Sequence, residues 1–249
     1  MKISDSLIFS AASETDFDPV QLDLPLRPAG EFDAIDDIFP VECRSSHAIL
    51  SEYLQTIGVA DPDAAAGALL SEFRTLGDLL SGSWWRLRRA VGGRLASVIR
   101  ASRALMHASL AEPLNERPIV PRPAQLIDFL QARIGYLQHE RLLAIYVDSR
   151  LHLLSIQKLA DGAVSRAPVD FARIIQLGLN VGASGFLLVH NHPSGVPRPS
   201  KADLAVTSRL RDLAGQLDLH LLDHLIVARG KVASIEDHWR ESRWRGDVE

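Results

Sequence analysis

The chain predicts an α/β fold, a mixed sheet flanked by helices, preceded by a small all-α domain. Two observations carry that expectation. From about residue 124 onward, short apolar runs rich in branched and aromatic residues interleave with longer segments of helical period, the pattern of a sheet covered by helices. Between Ser46 and Glu112 the spacing is helical alone. At 249 residues and 47% hydrophobic, the chain can bury a substantial core and divide it between two units.

Taken in order, residues 1–42 hold ten acidic side chains against Lys2 and Arg27, a local charge of −8, so the remainder of this −4 chain sums to +4. With prolines and no sustained periodicity, this segment reads as a mostly disordered acidic tail, or as one that folds over a basic surface of its own chain. Residues 43–112 make the helical domain. Ile49-Leu50-x-x-Tyr53-Leu54 and Ala64-x-x-x-Ala68-Leu69-Leu70 have helix spacing, and Thr75–Leu80 resembles a short helix start. Six arginines (Arg86, Arg88, Arg89, Arg94, Arg100, Arg103) and no acid lie between Asp78 and Glu112, around Val91-Gly92-Gly93. Such a stretch is either a solvated helix face with snorkelling stems or a contact surface for nucleic-acid phosphates. Trp84 and Trp85 read as core anchors of the bundle rather than stacking groups. Residues 113–122, with three prolines in ten positions, suit an extended linker.

Within residues 123–240 the expected order is helix (124–138), strand (140–148), strand (151–158), helix (168–180), strand (184–190), helix (200–217), and strands near 219–228 and 231–234. Arg141–Asp148 is apolar and rich in branched and aromatic residues, as a strand requires. Ala183–Val189 is small and apolar, the composition of a buried strand, and leads directly into His190. Pro193-Ser194-Gly195-Val196-Pro197-Arg198-Pro199 continues neither strand nor helix, because its prolines lack amide donors. Ser200 then stands as an N-cap before a helix with Leu210, Leu213 and Leu217 on its apolar positions. Residues 241–249 form a C-terminal tail.

The chemistry concentrates at His190-Asn191-His192 and Asp203. Residues i and i+2 of an extended segment face the same way, so both imidazoles can address one ion, and a carboxylate in the first turn of the next helix can join them. Three protein ligands leave a tetrahedral position open, which marks a catalytic zinc site rather than a structural one. Asn191 points to the opposite face and reads as a loop-bracing residue. Ser200-x-x-Asp203 is also a capping box, which by itself would explain both residues. A hydrolytic centre further needs a base. Glu140, at the head of the strand over 140–148, is the candidate, although a Glu at such a junction is ordinarily a solvated surface residue. His224, on an expected strand, reads as a satisfied core histidine rather than a fourth ligand.

Glu140, His190-x-His192-Pro193 and Pro199-Ser200-x-x-Asp203 together resemble the JAMM (JAB/MPN+) metalloprotease motif. The fuller strings His190–Gly195 and Leu221-Leu222-Asp223-His224-Leu225-Ile226-Val227 resemble its RadC branch, over roughly residues 122–235. The resemblance implies a cytidine-deaminase-like sheet, zinc held by His190, His192 and Asp203, and Glu140 as general acid/base. It also implies that Ser200 helps hold the oxyanion, and that the reaction is hydrolysis of an amide or isopeptide bond in a peptide or isopeptide substrate. In the helical domain it implies a helix-hairpin-helix module whose glycine turn presents backbone amides to a nucleic-acid phosphate, beside Arg86, Arg88, Arg89 and Arg94 as the side chains available for DNA contact. The usual Gly-hydrophobic-Gly turn of that module is here the adjacent pair Gly92-Gly93.

Other chemistries are removed by the residues themselves. The contiguous letters His-Asn-His do not make an HNH nuclease, whose three residues lie far apart. A nucleobase deaminase needs a Pro-Cys-x-x-Cys ligand pair, and the chain has one cysteine, Cys43. No His-Glu-x-x-His occurs. With no signal-peptide core, no apolar run approaching a membrane span and no disulfide framework, the expected compartment is the cytoplasm. Two functions therefore stand: a zinc-dependent peptidase or isopeptidase of the RadC type, and a catalytically weak, metal-binding, DNA-associated accessory protein.

Overall fold

The computed structural model describes residues 45–119, 123–162 and 169–237, so the expectations for the tails at 1–42 and 241–249 lie outside the described residues. Four helices come first: α1 (Ser46–Thr56), α2 (Pro62–Phe73), α3 (Leu76–Ser81) and α4 (Trp84–Ala111). Each starts where a side chain takes up an otherwise unpaired amide. Ser45, Asp61, Thr75 and Ser83 accept from the backbone N–H three residues on, and Pro62 adds its preset φ to α2. Their inner faces close a core of Leu50, Leu54, Leu69, Phe73, Leu79, Leu87 and Ile99. Trp84 packs against that core, but Trp85 is 70% exposed, so the expectation that both are core anchors fails for the second. Neighbouring helix positions point about 100° apart, and only one can face the bundle. α4 breaks at Gly92, whose φ of 79° and ψ of 169° are readily adopted only by glycine.

The segment expected to be an extended linker is packed where it is described. Glu112–Asn115 is a 3-10 turn, Leu114 and Ile119 are buried, and the Ile119 N–H donates to the Leu151 carbonyl at 2.9 Å. The long helix expected over 124–138 is shorter: α5 (Ala124–Leu130) passes into a π-turn at Gln131–Gly135. There follow β1 (Arg141–Val147), β2 (Leu153–Asp161), α6 (Phe171–Asn180), β3 (Gly185–Asn191), α7 (Lys201–Gly215), β4 (His220–Ala228) and β5 (Lys231–Ser234).

The strands form one mixed sheet in the order β2-β1-β3-β4-β5. β3 and β4 are parallel, and α7 supplies the crossover that parallel neighbours need; the other pairings are antiparallel. Alternation sorts each strand between two faces. Leu143, Ile145, Val147, Leu187 and Val189 meet α5 and the π-turn, whereas Leu142, Ala144, Tyr146, Phe186 and Leu188 meet α6 and α7. Tyr146 is fully buried, and its hydroxyl donates to the Ile174 carbonyl at 2.7 Å; burial pushes its ionisation far up. α6 approaches the sheet at Gly178, where an added Cβ would lie 2.9 Å from the Tyr146 ring.

The helical unit docks on the sheet unit through α3. Gly77 lies against the Tyr136 ring, where an added Cβ would come within 2.4 Å. The buried Asp78 carboxylate accepts from Gln138 Nε2 at 3.0 Å and from the Arg229 guanidinium at 3.2 Å. No helix among the described residues is long and apolar enough to cross a membrane.

Candidate metal centre

On β3, the face that carries Phe186 and Leu188 into the core carries His190 next, and the loop residue His192 follows on the same side. The buried apolar run thus ends in two imidazoles whose Nε2 atoms are 2.9 Å apart. Asp203 enters from the first turn of α7: its Oδ1 is 3.3 Å from His190 Nε2 and its Oδ2 3.6 Å from His192 Nε2. One ligand atom from each of the three residues lies within 4.8 Å of the others, a group that could hold a metal ion.

The capping box and the cluster exist together, because the carboxylate has two oxygens. Ser200 N–H and Oγ–H both donate to Oδ2, at 2.8 and 2.6 Å, and the Asp203 N–H donates back to Ser200 Oγ at 3.1 Å. Oδ1 remains directed at His190. The cap therefore fixes the ligand instead of competing with it.

A buried chain of hydrogen bonds assigns the tautomers. The Thr207 hydroxyl lies 2.5 Å from the Asp203 carbonyl, which can only accept, so the single hydroxyl proton is committed there. His224 Nδ1, 2.6 Å from the same hydroxyl oxygen, must then donate to it. Burial holds His224 neutral, with a pKa well below the usual histidine value, so its Nε2 is left as an acceptor for His190 Nδ1–H at 2.8 Å. His190 Nε2 consequently carries a lone pair. His192 reaches the same condition differently, since its Nδ1 donates to the Val196 carbonyl at 2.9 Å. That carbonyl is turned inward by Gly195, at φ 80°, whose N–H closes back on the His192 carbonyl at 3.1 Å. Two lone pairs and a carboxylate oxygen thus converge. Electron pairs at this separation repel unless a cation or proton lies among them.

The charge environment agrees. Desolvation lowers the His190 pKa to about 4, despite the opposing pull of Asp203. His192, only half buried, is shifted upward, chiefly by the Asp203 carboxylate 3.6 Å away, with a smaller contribution from the charge of Glu140. Asp203 is held well below the usual carboxylate range by His192, His190 and Ser200, against the opposing effect of burial.

Glu140 sits one residue before β1, and Asn191 grips the backbone on both sides of it. Asn191 Oδ1 accepts from Arg141 N–H at 2.8 Å, and its Nδ2 donates to the His139 carbonyl at 3.0 Å. The expected bracing role of Asn191 is thereby given a location. Glu140's own carbonyl accepts from Gly162 N–H at 2.9 Å, and His139 turns away to Asp161. Thr207 escaped the sequence reading. Its only sequence signal is a hydroxyl one helical turn beyond Asp203 on the buried stripe of α7, together with Leu210 and Ala214. In the helical unit, Arg86 and Arg89 both engage Glu72, at 3.0 and 3.4 Å, while Arg88 and Arg94 are exposed.

Comparison with known proteins matches this architecture. Residues 120–241 match the RadC-like JAB domain family. A UPF0758 protein of Methylibium petroleiphilum is 34% identical over 178 residues, covering 69% of this chain and 78% of the relative. UPF0758 proteins of Leptothrix cholodnii and Marinobacter nauticus are 30% and 29% identical, covering 78% and 88% of those relatives and 69% and 78% of this chain. With the mixed sheet and the His-His-Asp group in place, the chain belongs to the RadC-like JAB domain family.

Proposed function

We propose that the protein is a zinc-dependent hydrolase of amide bonds, a metallopeptidase or isopeptidase, with His190, His192 and Asp203 as the metal ligands. The observation that carries the reading is the convergence of two histidine lone pairs and one carboxylate oxygen, each oriented by a separate hydrogen bond. The donor set of two imidazoles and a carboxylate suits zinc and leaves a coordination position for the reaction. Zinc, when bound, supplies a Lewis acid that polarises a carbonyl and lowers the pKa of a water from about 15.7 to about 7.

The chain's own residues do the rest. Glu140, fixed by Asn191 and contributing its charge to the site, takes the proton of the attacking water and delivers it to the leaving amine. Ser200 holds Asp203 through its N–H, so its hydroxyl can turn from Oδ2 to the developing oxyanion without releasing the ligand. Hydrolysis is tested with wild type and Glu140→Gln on a panel of peptide and isopeptide substrates. Cleavage by wild type that falls about 10²- to 10⁴-fold in Glu140→Gln fits the assignment; equal inertness of both argues against an enzyme.

A second role, DNA contact, is supported by exposed Arg88 and Arg94 on either side of the Gly92 break. Arg86 and Arg89 contribute less to it, because they share the Glu72 carboxylate, which offsets one of their two charges. Duplex binding with the same salt dependence in wild type and in Arg88→Gln/Arg94→Gln would dismiss the role.

A further inference from the structure

Between α3, α4, the π-turn and the start of β1 lies a cavity of about 660 Å³ whose wall is strongly basic. Arg86, Arg100, Arg103, Arg133 and Arg141 all line it, with Asp78 as the one carboxylate. Asp78 is already engaged by Arg229 and Gln138. Arg86 is matched by Glu72 and Arg141 by Asp161, leaving Arg100, Arg103 and Arg133 without a carboxylate partner among the described residues. Neutral groups hold these three in place. Arg103 donates to the Leu80 and Gly82 carbonyls at 3.1 and 3.2 Å, Arg133 contacts His107 Nδ1 at 3.3 Å, and Arg100 lies over the Trp84 ring at 5.2 Å.

Like charges lining one pocket repel one another, most of all around half-buried Arg103, and a bound anion offsets that repulsion. Burial and, after it, the neighbouring guanidinium charges both act against the charged form of Arg103 and Arg133. Arg103 is lowered first by burial and then by Arg100, Arg133 and Arg141; Arg133 is lowered by burial and then by Arg141. Guanidinium forks pair with phosphate oxygens in a bidentate way, and several arginines lining one half-open pocket suit a ligand with more than one phosphate. A volume of about 660 Å³ is in the range that holds a compact ligand.

We propose that this cavity is a binding site for a compact phosphorylated ligand carrying two or more phosphate charges, gripped by Arg100, Arg103 and Arg133. The site is separate from the His-His-Asp cluster and independent of the hydrolase reading. It nonetheless adjoins it in sequence, since His139 and Arg141 line the cavity and flank Glu140.

The test is calorimetric titration of the full chain with inorganic pyrophosphate. Wild type binds, Arg100→Gln and Arg133→Gln each weaken binding at least tenfold, and Arg150→Gln, in the exposed turn between β1 and β2, leaves it unchanged. Arg103→Gln removes two carbonyl contacts as well as a charge, so the two other variants decide the matter. Binding retained in Asp203→Ala separates the cavity from the His-His-Asp cluster. The proposal is overturned by absent binding, by equal affinity in wild type, Arg100→Gln and Arg133→Gln, or by loss of binding in Asp203→Ala. It is also overturned if a duplex oligonucleotide binds with the same arginine dependence while pyrophosphate does not, since the phosphates would then belong to a nucleic-acid backbone.

Discussion

The two histidines of the cluster stand two residues apart, one on β3 and one just past its end, and the protein holds them by opposite means. His190 is buried and fixed from inside the fold, through His224 on β4 and Thr207 on α7. His192 is half exposed and fixed by its own loop, through the Val196 carbonyl and the Gly195 turn. The interior half depends on tertiary structure spread over three elements and has its proton affinity pushed down; the loop half depends on local geometry and has it pushed up. The strand-held ligand is therefore the rigid reference, and the loop-held one is the adjustable partner.

Breaking the interior half should have a large effect without touching a ligand. Thr207→Val removes the hydroxyl that fixes His224, and His224→Phe removes the acceptor of His190 Nδ1–H. Either frees His190 to carry its proton on Nε2, where the lone pair is needed. We expect zinc affinity to fall roughly 10- to 100-fold in each, the usual range for a hydrogen-bond partner of a ligand, with circular dichroism unchanged. Affinity equal to wild type in both would refute the tautomer assignment.

Acidification distinguishes the halves by sign. An unfolded histidine takes up its proton near 6.5, whereas His190 does so at about 4, so the unfolded chain binds the extra proton between those values. Stability should be level above pH 6.5 and decline toward pH 4, by on the order of 3 kcal/mol from this residue. His192 acts the other way, contributing stability below the unfolded value that is lost as pH rises through its raised one. Melting curves recorded from pH 7.5 to 4.5 with chelator should flatten in His190→Asn and steepen in His192→Asn; the reverse order would contradict the comparison.

The smallest effect belongs to the loop. Gly195→Ala meets no atom within 4 Å, so its cost is the positive φ alone, about 1–2 kcal/mol. Only part of that cost reaches the bound metal, so zinc binding should weaken by less than about 30-fold, and by less than in Thr207→Val, although Gly195 lies nearer the ligand in sequence. A larger loss than in Thr207→Val would place the rigid half in the loop.

The strands were legible because alternation and branched residues are local signals: β3, β4 and β5 fall within a residue of their expected bounds. The His-x-His and Asp203 grouping was legible for the same reason, since one strand end and one helix start contain it. Glu140 was not readable from its neighbours, because what fixes it is Asn191, 51 positions away on a different strand. His224 was legible as a satisfied buried histidine, but its partners His190 and Thr207 were not, because they meet it only when α7 packs across β3 and β4. The long helix expected at 124–138 stopped early where Gln131 bonds the Ala228 and Lys231 carbonyls, a contact no periodicity reports.

Zinc content tests the central claim most directly. Wild type purified and dialysed against zinc should hold one equivalent, while His192→Ala and Asp203→Ala, folded by circular dichroism, should hold essentially none. Metal content in both variants equal to that of wild type would contradict the account.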